Sequence, residues 1–204
     1  EETRQNQFFP IEEDQRGTYI LNSKDMNMIE HLRELVDAGV DSLTIEGRNK
    51  QAFYVSGAVN AYRQVLDNLD SPDYDEILKH SIDELNCISH RPYNTGFYFG
   101  KAQQADGQDG YTQDSLHVAD LLEQVDSNKL LVRCRNKIEP GDKLEILQPG
   151  SKVPKFKVQE IFWKKDDKEI PVEDASRTMD EYVLVTEGKQ EIAQAHSFIR
   201  KHLD

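Results

Sequence analysis

Apolar positions along this chain follow two periods. From about residue 25 to residue 88 they recur every three or four positions, the spacing of helices with one buried face; from Tyr93 they alternate with polar ones, the spacing of strands. Ahead of the first stretch, Thr18-Tyr19-Ile20-Leu21 is a short apolar run bounded by Gly17 and Asn22-Ser23, and predicts a buried strand. A helix is expected from about Asp25, with Met28, Ile29, Leu32, Leu35 and Val36 on one face and Ala38-Gly39 as its stop. Asp41 to Glu46 predicts a second strand, broken by Gly47-Arg48. A second helix follows from about Lys50 to Leu69, with Tyr54, Val55, Ala58, Tyr62, Val65 and Leu66 on one side. This β-α-β-α order implies parallel strands with right-handed crossovers. Two parallel strands cannot cover both faces of a sheet, so the segment is expected to be the end of a larger α/β domain. On that reading the chain is a fragment, or it associates to complete the sheet. Phe8-Phe9-Pro10-Ile11 then reads as an apolar plug belonging to that larger core.

Ser71-Pro72-Asp73 is a helix start, with a capping hydroxyl, proline in the first turn and acids near the positive end of the dipole. Ile77, Leu78, Ile82, Leu85 and Ile88 give the helix one apolar face, and it reads as a bridge between two domains. Beyond it, Phe97-Tyr98-Phe99 predicts a strand between Gly96 and Gly100. His117–Val125 and Lys129–Arg135 predict a hairpin through Asp126-Ser127-Asn128, and Glu181–Thr186 the last strand. A register change at Ile161-Phe162-Trp163 suggests a bulge or a strand end. Short strands with turns every ten or so residues indicate a small antiparallel barrel. A closing helix is expected from about Gln190 to Leu203, carrying Ile192, Ile199 and Leu203. The fold class is therefore α+β, divided into an α/β segment (1–70), a bridging helix (71–92), a small β-barrel (93–188) and a C-terminal helix (189–204).

Composition narrows the function classes. The 204 residues carry a net charge of −13, which would repel nucleic acid and anionic membrane if it were uniform. It is not uniform: Lys129 to Lys168 holds 11 Lys and Arg against 6 Asp and Glu, a basic island in an acidic chain. Arg133, Arg135, Lys137, Lys155 and Lys157 alternate along its strands and are candidate RNA contacts, the alternative being a solvated lysine-rich hairpin. No apolar run reaches the ~18 residues of a membrane helix. Cys87 and Cys134 stand apart with no CxxC, against a disulfide scaffold or a structural zinc, and a reducing cytoplasm is the expected compartment.

The familiar catalytic signatures HExxH, GxSxG, the P-loop and GxGxxG are absent, and the six histidines do not cluster at metal-ligand spacing. The candidate chemistry lies where the two expected parallel strands end: Asn22-Ser23-Lys24-Asp25 and Glu46-Gly47-Arg48. Ligands bind at the C-terminal ends of strands in α/β folds. Asp25, Glu46 and Arg48 are thus candidate catalytic residues and Ser23, Lys24 and Lys50 candidate substrate contacts. The competing reading is structural, with these charges pairing among themselves to fix the rim.

These same blocks, Arg16-Gly17-Thr18-Tyr19-Ile20-Leu21-Asn22-Ser23-Lys24-Asp25 and Ala38 to Arg48, resemble the collagenase-like peptidase family U-32. Ser89-His90-Arg91 with Thr95 to Gly100, and Arg133 to Lys137 with Gly141-Asp142, fit the same family, so the likeness runs over about residues 8–187. The resemblance implies the C-terminal half of a protein about twice as long: the end of a TIM-like α/β barrel followed by a translation-factor-like β-barrel. It implies two activities. One is proteolysis of collagen or gelatin, a hydrolase with the barrel as its substrate-binding module. The other is RNA modification, since bacterial relatives 5-hydroxylate the wobble uridine of tRNA with prephenate, and others hydroxylate ribosomal RNA or a quinone precursor. On either, the parent protein is the enzyme and the fragment alone is expected to be inactive. Relatives carry an iron–sulfur cluster on cysteines lying mostly upstream of this stretch, with one more two residues after the Asp of the Ser-Lys-Asp block. That position is Asn27 here, so no cofactor is expected within these residues, and a cluster in the full-length protein would require a different fourth ligand. The partners expected are the N-terminal half, an RNA or peptide substrate and no membrane, with association or exchange between copies.

Overall fold

The computed structural model describes residues 11–15, 17–20, 23–101, 110–166, 168–189 and 193–203. The Phe8-Phe9 plug lies outside them. The chain is α+β: a helical unit comes first and a sheet-rich unit second.

The N-terminal part departs from the β-α-β-α expectation. Strands β1 (Ile11–Asp14) and β2 (Gly17–Ile20) form an antiparallel hairpin, pairing Ile11 with Ile20 and Asp14 with Gly17. Asp41 to Glu46 forms no strand, and Leu43 and Thr44 are exposed. An alternating pattern needs a partner edge to become a strand, and none of the described residues supplies one there. The parallel pairing lies elsewhere: β3 (Asp25–Met26) runs beside β4 (Tyr93–Asn94), with Asp25 opposite Tyr93.

Between those two strands the chain forms a 3-10 turn at Ile29–His31, then α1 (Leu32–Asp37), α2 (Ala52–Asp67) and α3 (Tyr74–Asn86). The apolar spacing read in the sequence is the face they bury. Ile29, Leu32, Phe53, Ala58, Ala61, Val65, Leu85 and Ile88 make one core, joined by Leu147 from the sheet-rich unit. Gly39, at φ +85°, ends α1 with its N–H donating to the Val36 carbonyl at 2.9 Å. Gly57 lets α2 approach closely: a Cβ there would stand 2.8 Å from Ile88 Cγ2. The segment expected as a bridge is therefore packed along α2 and shares its core.

The second unit is built from β5 (Ser115–Asp126), β6 (Lys129–Cys134), β7 (Lys143–Leu147), β8 (Lys155–Lys165), β9 (Lys168–Val172), β10 (Glu181–Thr186) and β11 (Phe198–His202). The order β10-β6-β5-β11-β7-β8 returns from β8 to β10, so six antiparallel strands close on themselves, and β9 adds to the far end of β8. Val118, Leu121, Leu130, Val132, Ile138, Leu144, Ile146, Val158, Leu184 and Ile199 fill the interior. The register shift between β8 and β10 falls near Gln159, where Val185 faces Glu160 and Thr186 faces Val158. Two expectations are corrected. Phe97-Tyr98-Phe99 is a turn with exposed rings, not a strand. The end of the C-terminal helix is β11, which inserts between β5 and β7 and buries Ile199 and Arg200. The spacing of Ile192, Ile199 and Leu203 imitated a helix, but Leu203 is exposed and only Ile199 of the last two faces the core.

Candidate functional site

A cleft of about 610 Å³ opens beside the β3–β4 pair, walled by α2, the 41–50 segment and the stretch around Arg91. Its floor is an ion pair. Asp25 Oδ1 accepts from Arg91 Nε at 2.9 Å and Oδ2 from the Arg91 backbone N–H at 3.0 Å. The same guanidinium donates from Nη1 to Ser23 Oγ at 2.7 Å. The parallel pairing makes this possible, because Asp25 N–H donates to the Pro92 carbonyl and holds the two chains side by side.

Tyrosines line the walls. Tyr62 donates its hydroxyl proton to Asn27 Oδ1 at 2.9 Å and accepts from the Met28 N–H at the same distance. Tyr93 donates to the Leu85 carbonyl and stacks on His90 with centroids 4.0 Å apart. Burial is the leading reason that the phenols of Tyr54, Tyr62 and Tyr93 are all pushed upward, so they stand as neutral hydroxyls.

At the mouth, Glu46 Oε1 accepts from the Arg48 N–H at 2.8 Å, fixing a turn that presses Gly47 against Val55. Lys50 donates to the Ser89 carbonyl and lies over two rings, 4.8 Å from Tyr54 and 4.2 Å from Tyr111. Asp25, Glu46, Arg48, Lys24 and Lys50 thus line one cleft. Within it, the carboxylate of Asp25 pairs with Arg91, not with Arg48. Arg91 and the tyrosines were not among the candidate residues. Arg91 stands in the Ser89-His90-Arg91 block, Tyr54 and Tyr62 on one apolar helix face, and Tyr93 where the strand period begins.

The basic positions of the barrel do not form one open stripe. Arg133 pairs with Glu181 at 3.1 Å, Arg135 with Asp120 at 2.6 Å and Lys137 with Glu139 at 2.8 Å. Lys155 pairs with Glu145 at 2.7 Å and Lys157 with Glu187 at 3.6 Å. Each cation meets a carboxylate because acidic residues occupy the neighbouring strands and turns, which a count along one segment cannot register. Arg133 and Arg135 do share a second cleft of about 460 Å³ with His117 and Phe53, whose rings stack 4.9 Å apart. Burial lowers the His117 pKa although Asp120 lies beside it.

A hydrolase-like arrangement occurs once among the described contacts. Ser115 Oγ lies 3.4 Å from His202 Nδ1, and His202 Nε2 lies 3.0 Å from Glu145. The Ser115 hydroxyl is buried, and Glu145 also holds Arg200 and Lys155, so the trio braces the barrel and presents no nucleophile to a substrate. The donor set does not fit an iron–sulfur cluster. Among the described residues no three His, Cys, Asp or Glu gather as ligands. Cys87 and Cys134 are buried, which pushes the Cys87 thiol up and that of Cys134 to about 11. The Asn27 amide is committed to Tyr62 and to the Ile29 N–H.

Among the described residues no helix is long and apolar enough to cross a membrane. Residues 1–108 match the model of Peptidase family U32, and residues 114–198 that of the Peptidase family U32 C-terminal domain. The chain is 31% identical to tRNA hydroxylation protein P of Escherichia coli over 159 residues, covering 75% of this chain and 34% of that protein. An uncharacterized protease of Methanocaldococcus jannaschii is 42% identical over 83 residues, 41% of this chain and 20% of its own length. A collagenase of Porphyromonas gingivalis is 30% identical over 92 residues, 45% of this chain and 22% of its own. The chain spans about a third of the length of tRNA hydroxylation protein P.

Proposed function

The chain belongs to peptidase family U32, and from that premise we propose that it is part of an enzyme that hydroxylates tRNA. The observation that carries the reading is the tyrosine-walled cleft with the Asp25–Arg91 pair at its floor and Arg48 and Lys50 at its mouth. Neutral aromatic walls and cationic groups at the mouth suit a small, ring-shaped, anionic co-substrate and a nucleobase, and prephenate and uridine answer those descriptions. Arg48 and Lys50 receive the anionic groups. Arg91, held by Asp25 and Ser23, keeps its planar fork in a fixed orientation. Glu46 uses one oxygen for its turn and leaves the other to accept from substrate. The similarity to tRNA hydroxylation proteins over three quarters of the chain supports this reading. Peptide hydrolysis has less support, because the serine–histidine contact at Ser115 is buried. The finer fold reading, a piece of a TIM-like barrel followed by a translation-factor-type barrel, draws support from the parallel β3–β4 pair and the closed sheet.

The test is nucleoside mass spectrometry of tRNA from cells lacking the encoding gene. Loss of the 5-hydroxylated wobble uridine, restored by the complete protein and not by its Arg48→Ala, Lys50→Ala form, is the expected result. Unchanged hydroxylation in the deletion strain would overturn the proposal.

A further inference from the structure

We propose that the turn carrying Phe97, Tyr98 and Phe99, with Tyr111 beside it, is a base-stacking platform for unpaired RNA nucleotides at the mouth of the cleft; this rests on the tRNA reading above. Phe97 is 81% exposed, Phe99 61%, Tyr111 62% and Tyr98 59%. Three large rings in one turn, with Tyr111 on the same cleft as Tyr98, leave far more apolar surface in water than scattered exposure gives. The turn is anchored. Gly96, at φ +60°, sits where a Cβ would stand 2.9 Å from Met26 Sδ, and its N–H donates to Asn94 Oδ1 at 3.1 Å. Phe99 rests on His31, centroids 4.5 Å apart. The rings are thereby fixed to the same β3–β4 pair that carries Asp25, and Tyr98 and Tyr111 line the cleft itself.

The charge around the rings selects the occupant. Lys50 Nζ stands 4.2 Å from the centre of Tyr111 and the Arg91 guanidinium 6.0 Å from it. Arg48 and Lys101 are exposed nearby in sequence to the same walls. In a chain of net charge −13, Lys50 and Arg91 beside the exposed Tyr111 face, on the cleft that Tyr98 also lines, complement a polymer whose bases stack and whose phosphates are anionic. A duplex keeps its bases stacked inside and offers the rings nothing, so the occupant is single-stranded, as in an RNA loop.

The experiment measures binding of the complete protein to a fluorescein-labelled RNA hairpin with an unpaired loop, and to a fully paired duplex of equal length. Phe97→Ala with Phe99→Ala should weaken hairpin binding by about tenfold or more, since each stacked base lost costs roughly a factor of ten. Duplex binding should change little. Phe97→Trp should keep hairpin affinity, whereas Phe97→Leu, equally apolar but without a π-face, should be as weak as alanine. If Phe97→Leu binds as the unsubstituted protein does, or if the alanine pair lowers the melting temperature with hairpin affinity intact, the rings are packing surface and the platform is overturned. If the unsubstituted protein itself binds no hairpin, the tRNA reading fails with it.

Discussion

The guanidinium of Arg200 grips both carboxylate oxygens of Glu84, at 2.7 and 2.6 Å, across 116 residues of chain. Arg200 lies on β11 of the barrel and Glu84 on α3, so a buried bidentate pair joins the two units. Its other face meets Glu145 of β7 at 2.8 Å. Burial works against the charge on Arg200, but the two carboxylates outweigh it and raise its pKa. Arg200→Met should therefore leave Glu84 buried without a counter-charge, while Glu145 keeps Lys155 and His202, and lower stability by about 3–5 kcal/mol. Urea unfolding followed by circular dichroism reads this directly. A loss under about 1 kcal/mol would show that water reaches the pair.

Acid should find the same junction. Burial pushes the Glu145 carboxyl upward, but Lys155, Arg200 and His202 together hold it below its ordinary value of 4.5. A carboxylate with a lowered folded pKa contributes stability that is complete above the unfolded value and disappears as pH falls through the folded one. Urea midpoints should thus hold steady above about pH 4.5 and fall below it. Glu145→Gln should flatten that fall while lowering the plateau.

The cleft separates binding from bracing. Glu46 is exposed and, among the described residues, bonded only to its own turn, so Glu46→Gln should move stability by less than about 0.5 kcal/mol. Asp25 holds Arg91 through side chain and backbone, so Asp25→Asn should cost about 1.5–3 kcal/mol. On the proposed function, both should also reduce tRNA hydroxylation by the complete protein. Equal stability losses would mean that Glu46 is part of the frame.

Gly57 tests the packing of α2 against α3 and the barrel. An added Cβ meets Ile88 at 2.8 Å and Leu147 at 3.8 Å. Gly57→Ala should destabilise by about 1–3 kcal/mol despite its better helix propensity, measured by thermal unfolding.

The helices were legible because one face of each carries the whole apolar load: Leu32 and Leu35, Ala58 and Val65, Leu85 and Ile88 are where a 3.6-residue period puts them. The hairpin through Asp126-Ser127-Asn128 and the strand Glu181–Thr186 were legible as short apolar runs bounded by turn residues, Leu130 to Val132 and Tyr182 to Leu184 being buried in succession. Leu43 and Ile45 alternate equally well, yet form no strand, since alternation describes a willing surface and not its partner. At Phe97 to Phe99, aromatic residues of high strand propensity are held in a turn by Gly96. In β11, Arg200 hid the strand, because a buried arginine is credible only once Glu84 and Glu145 are known to face it. Of the cleft, Asp25, Glu46 and Arg48 were visible as polar residues after apolar runs. The pairing of Asp25 with Arg91 was not, being a contact between segments 66 residues apart.

That separation has a consequence for the life of the protein before it meets any substrate. Bringing Asp25 to Arg91 closes a loop whose entropy costs on the order of 4 kcal/mol, and only the three intervening helices repay it. The two halves of the cleft floor come from opposite ends of that loop, like the halves of a clasp. A nascent chain still short of Arg91, or one whose helices have come loose, carries no receptive mouth at all. The cleft is thereby reserved for molecules that have finished folding.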